Sequence, residues 1–113
     1  MFKIGVLVSG GGSNLQSIID KSKSGELQCK VEVVIGDREC YGVERAKEAG
    51  IDGYTLDRKV LKKELCREID KIVSERGIDL IVLAGFLSII DEEFVNKWKG
   101  RIINIHPSLL PKF

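Results

Sequence analysis

Several residues that usually direct a reading are scarce in this sequence. Among 113 residues there are one histidine, two prolines, one tryptophan and three cysteines. The cysteines, Cys29, Cys40 and Cys66, are odd in number and form no Cys-x-x-Cys pair, so they suggest neither a disulfide framework nor a zinc site. A reducing cytoplasm is the expected location. Long apolar runs are also missing. The longest, "LIVLAGFLSII", is well short of the roughly 20 residues that a membrane-spanning helix needs. At the start, "IGVLV" is too brief for a signal-peptide core and runs straight into glycines. The net charge is only +1, so there is no electrostatic footprint for nucleic acid. The charge-rich "DRKVLKKELCREIDK" alternates in sign and reads as the solvated face of a helix.

What remains is the balance of a globular domain, 43% hydrophobic and 31% charged, with both signs interspersed. Strand-like and helix-like patterns alternate. β-Branched or apolar runs cover residues 3–8, 30–35, 53–56, 80–84 and 101–105. Helical spacing covers 14–23, 41–49, 60–76 and 92–97. Leu61, Leu65, Ile69, Ile72 and Val73 give the clearest apolar stripe, and Gly50, Gly77 and Gly100 stand where helices should end. The expected fold is α/β, a doubly wound Rossmann-like sheet, mostly parallel, with helices on both faces. The most apolar runs, "IGVLV" and "LIVLA", belong at its centre and the short "GYTL" at an edge, which gives the strand order 3-2-1-4-5. The order reverses between the first and fourth strands, and ligands of such sheets bind there, outside the carboxyl ends of the strands.

Three segments emerge at that rim. "SGGGSN" follows the first strand and opens a helix, where backbone N–H groups and the helix dipole make an anion site. Leu15 stands where the dinucleotide fingerprint needs a glycine, and no P-loop lysine is present, so a phosphate monoester fits better than a pyrophosphate. The alternative is a tight turn with a Ser or Asn cap. "GFLSII" follows the fourth strand and reads either as core packing or as a flat apolar slot whose free backbone groups meet a planar heterocycle. Asn104 and His106 lie two apart on the last strand and project from one face, with Pro107 ending the strand. An amide and an imidazole placed so can stabilise an oxyanion and move a proton, although a lone histidine is more often structural. Lys62 and Lys63 are surface charges or contacts to an acidic ligand, Asp37 a loop residue or cap, and the cysteines small core or surface residues.

Together, "VLVSGGGSNLQSII", "IVLAGFLSII" and "RIINIHPSLLPKF" closely resemble the phosphoribosylglycinamide formyltransferases, the folate-dependent formyl-transferring enzymes of purine biosynthesis. The resemblance covers essentially the whole chain and about the amino-terminal half of the family's usual length. It implies that Gly12, Ser13 and Asn14 hold the phosphate of glycinamide ribonucleotide. Leu87, Ser88, Ile89 and Ile90 then line the pteridine slot of the cosubstrate 10-formyltetrahydrofolate, Asn104 holds the formyl oxygen, and His106 donates the proton. Lys62 falls where the family often places an arginine near the folate, a departure that weakens a bidentate contact. The partners implied are these small molecules, with no metal, nucleic acid or membrane. Residues 1–113 are expected to be a single formyltransferase domain lacking its carboxyl-terminal portion, since no residue matches the family's catalytic aspartate, and the isolated chain is expected to be inactive. A methionyl-tRNA formyltransferase-like enzyme, which shares "NIHPSLLP", and a non-catalytic phosphate- or nucleotide-binding module are the alternatives.

Overall fold

The structure is a computed structural model that describes residues 1–105; His106 to Phe113 lie outside the described residues. Strands and helices alternate in the order β1 (Lys3–Val8), α1 (Ser13–Ser24), β2 (Lys30–Gly36), α2 (Tyr41–Glu48), β3 (Asp52–Thr55), α3 (Arg58–Leu61), α4 (Leu65–Glu75), β4 (Leu80–Ala84), α5 (Glu92–Lys97) and β5 (Ile102–Ile105). The strands form one sheet in the order β3-β2-β1-β4-β5, and every pairing is parallel. This is the expected order. β1 and β4 are almost wholly buried, as strands covered on both faces must be, whereas the polar edge strand β3 is largely exposed.

Alternate residues of each strand feed two cores. Val6 and Val8 of β1 pack with Leu15 and Ile19 of α1 and Val43 and Ala46 of α2. Leu7 of β1, Ile35 of β2 and Ile81 of β4 point the other way, onto Leu65, Ile69 and Val73 of α4, Phe94 of α5 and Trp98 just after it. Ile69 and Ile81 have no exposed surface, so truncating either to alanine should cost about 2–5 kcal/mol.

Residues 60–76 are expected to form one helix, but the structure divides them. The Asp57 carboxylate accepts the Lys59 N–H at 2.8 Å and starts the four-residue α3. That helix ends at Lys62, whose φ is 48°, and a 3-10 turn over Lys62–Glu64 leads into α4. Lys62 is the one non-glycine with positive φ among the described residues, a conformation that costs about 1–3 kcal/mol. The apolar spacing survives because Leu61 still packs on the core that α4 covers. Periodicity alone therefore hides the break. No helix of the described residues is long and apolar enough to cross a membrane.

Candidate active site

The loops that follow β1, β2 and β4 all leave the carboxyl edge of the sheet. After β1 the chain turns through Gly10, Gly11 and Gly12, and Gly12 caps α1 in the left-handed region at φ 77°. The alternative of a Ser or Asn side-chain cap is not what forms, because no side chain caps this helix. Ser13 is exposed and Asn14 half-buried. The first helical bond runs from the Gln16 N–H to the Gly12 carbonyl at 2.8 Å, so the N–H groups of residues 13–15 have no partner within the helix. This is the electropositive end of an α-helix, presented at the switch point of the sheet.

The shape of the loop is imposed by α2. The Gly42 N–H donates to the Gly10 carbonyl at 3.0 Å. Arg45 Nε donates to the Gly11 carbonyl at 2.6 Å and its Nη1 to Gln16 Oε1 at 3.2 Å, while the guanidinium lies 4.7 Å from the centre of the Tyr41 ring. Arg45 thus adds a cation to the loop region. Its only trace in the sequence is one charge among several on an amphipathic helix.

After β4, Phe86 and Ile90 turn inward and pack on the α4 core, whereas Leu87 and Ile89 are 71% and 89% exposed. Core packing is therefore the wrong reading for the middle of "GFLSII". Leu87, Ser88 and Ile89 form a wall of an open cleft of about 720 Å³, with Lys62 and Arg58 among its other lining residues. Ile90 belongs to the core beneath rather than to this lining. Cys66 forms part of the floor and is buried. Burial pushes its thiol pKa up.

Asp37 is a loop residue, in the bend that follows β2, and not a helix cap. It is fully buried. Its Oδ1 and Oδ2 accept from Arg38 Nε and Nη2, each at 3.0 Å, and Oδ2 also accepts from the Ser88 hydroxyl. Burial opposes ionisation of this carboxyl, but the donors Arg38, Ser88 and Ser9, helped by the Arg38 charge, outweigh it and hold the pKa below the ordinary value. The sequence signal was an Asp-Arg pair at the end of an apolar strand, which does not reveal burial.

Asn104 lies near the end of β5, opposite Leu83 of β4, and is exposed. It shares a sheet face with Ile102, which packs on the α4 core, so it belongs to the side where the cleft opens. The structure thus places Gly12, Ser13 and Asn14, Leu87 and Ser88, Lys62, and Asn104 along one rim. His106 lies outside the described residues. Among the described residues, no group of three or more His, Cys, Asp or Glu side chains is placed to hold a metal ion.

A family model described as formyl transferase matches residues 2–113. The chain belongs to the formyl transferase family. Compared over 115 residues, the chain is 44% identical to phosphoribosylglycinamide formyltransferase of Escherichia coli (strain K12), covering 96% of this chain and 52% of that protein. It is 40% identical to trifunctional purine biosynthetic protein adenosine-3 of Homo sapiens, covering 98% of this chain and 11% of that one. The crystal structure of glycinamide ribonucleotide transformylase 1 from Symbiobacterium toebii superposes with a TM-score of 0.89 at 40% identity, covering 100% of this chain and 55% of that one. The chain spans about half the length of these bacterial relatives.

Proposed function

We propose that this chain takes part in transfer of a formyl group from 10-formyltetrahydrofolate to the amine of glycinamide ribonucleotide, a step of purine biosynthesis. The observation that carries the reading is the juxtaposition of a helix start with free N–H groups and an apolar, cation-lined cleft at one switch point. The free N–H groups at Ser13 and Asn14 suit the ribonucleotide's phosphate, and Gly12 lets the backbone approach it. Leu87 and Ile89 offer apolar surface to a flat ring. Arg58 and Lys62 suit the acidic end of the donor, Lys62 as a point charge rather than a planar fork.

In this reading the amine nitrogen attacks the formyl carbon, and the carbonyl oxygen takes the electron pair. Asn104 donates a hydrogen bond to that oxygen, and His106, protonated, stabilises it further. The oxygen's electron pair then re-forms the carbonyl as the carbon to N10 bond breaks; His106 gives its proton to N10 and, now neutral, takes one from the attacking nitrogen. The relatives named phosphoribosylglycinamide formyltransferase support the choice of acceptor.

The test is formyl transfer by the protein that carries this chain. Asn104→Ala should lower kcat on the order of 100- to 1,000-fold, the range for loss of one oxyanion donor, with the ribonucleotide still bound. Turnover unchanged in both Asn104→Ala and His106→Ala would remove the proposed roles. A wild type that transfers the formyl group to another amine and not to this one would remove the proposed acceptor.

A further inference from the structure

One buried side chain ties together the loops after β1, β2 and β4. The Asp37 carboxylate accepts from Arg38 of its own loop and from the hydroxyl of Ser88 in the β4 loop. Ser9, at the start of the β1 loop, accepts the Leu87 N–H on its Oγ at 2.8 Å, and its hydroxyl helps to lower the Asp37 pKa. The far end of the segment is held as well. The Cys66 thiol donates to the Ile89 carbonyl at 3.7 Å, and its sulfur accepts the Asp91 N–H at 3.5 Å.

A buried carboxylate needs several donors to offset its lost hydration. Apolar packing could join the same loops with no such requirement. What the network fixes is a short stretch of backbone whose two large side chains, Leu87 and Ile89, face solvent. They bury little, so apolar packing anchors the stretch only at its ends, through Phe86 and Ile90. Between those anchors the conformation depends on the hydrogen bonds, and a segment fixed before its ligand arrives avoids the ordering cost of binding.

We propose that Asp37 is a positioning residue for the formyl donor: through Ser88, and together with Ser9, it fixes the backbone of residues 87–89 in the form that receives the donor's ring. This rests on the reading of that segment as the donor slot. Asp37 touches no substrate in this role. It acts through Ser88, next to the Leu87 N–H that Ser9 holds, and Arg38 keeps its charge neutralised.

Amide hydrogen exchange at Leu87 and equilibrium binding of tetrahydrofolate and glycinamide ribonucleotide test the proposal, using the protein that carries this chain. Asp37→Asn leaves an amide facing the guanidinium, and Ser88→Ala removes one donor while leaving the Arg38 pair intact. In both variants Leu87 exchange should rise and tetrahydrofolate affinity fall about 10-fold, the scale of one charge-assisted hydrogen bond, with ribonucleotide affinity unchanged. If Asp37→Asn does not fold, Ser88→Ala carries the test alone. A purely structural role would lower both affinities together, or neither, and either result overturns the proposal. Wild-type binding separates the two readings. A wild type that binds no folate sinks the slot and this role with it, whereas one that binds folate, with variants of unchanged affinity, sinks this role alone.

Discussion

Gly12 and Gly42 approach so closely that a Cβ built on Gly12 would lie 2.6 Å from the Gly42 Cα. Gly12 also has a φ of 77°, in the region that L side chains rarely adopt. Gly12→Ala therefore meets a backbone penalty and a backbone clash at once, and no flexible side chain can yield to relieve the clash. The expected loss in urea unfolding is about 3 kcal/mol, from left-handed strain and overpacking together, with ribonucleotide binding abolished. A variant as stable as the wild type would mean that the α1 and α2 starts are not packed in this way.

Arg45 serves the same loop from the other side, and its geometry predicts that lysine cannot replace it. Nε reaches the Gly11 carbonyl while Nη1 reaches Gln16, so the two bonds use separate nitrogens of one planar group. A lysine ammonium keeps the charge but not this fork. Arg45→Lys should weaken ribonucleotide affinity about 10-fold, the scale of one charge-assisted hydrogen bond, and leave tetrahydrofolate affinity alone. Equal affinity in titration calorimetry would show that charge, not loop shape, is what Arg45 provides.

The strand order was legible in the sequence because burial of β1 and β4 on both faces leaves continuous apolar runs, and their carboxyl ends locate the rim. The start of α1 was legible from its glycines and the chemistry they allow. The break at Lys62 was not, because Leu61 and Leu65 keep helical spacing across it and backbone dihedrals leave no mark on periodicity. Nor was the role of Asp37 visible. Its partners Ser9 and Ser88 are distant in the chain, and only the pairing of β1 with both β2 and β4 brings the three loops together. The choice between core and slot for Leu87 and Ile89 was not legible for a related reason: alternation along a loop does not tell which side has a neighbour.

The depressed pKa of Asp37 has a definite sign in stability. A carboxyl with a folded pKa below its unfolded value stabilises the fold above the unfolded value, and that contribution disappears as pH falls through the folded value. Ser88→Ala removes one of the donors that lower the pKa, so it should cost about 1–2 kcal/mol at neutral pH. The gap from wild type should narrow once pH drops below the ordinary carboxylate range. Asp70 and Glu32 also have lowered values, but they titrate in both proteins and cancel in the difference. A gap that stays constant down to full protonation would show that Ser88 does not act through the carboxylate.

Cys66 provides a reporter inside the cleft. It is buried beneath the segment that carries Leu87 and Ile89, and burial raises its thiol pKa, so little thiolate is present at neutral pH. Reaction with a disulfide reagent should be slow in the native protein and should speed up as pH rises, with mass spectrometry used to locate the modified residue. Tetrahydrofolate in the cleft should slow Cys66 further and leave Cys29, which packs on the opposite core, unaffected. Cys66 labelling that ignores saturating tetrahydrofolate, under conditions where binding is independently detected, would place the folate elsewhere on the molecule.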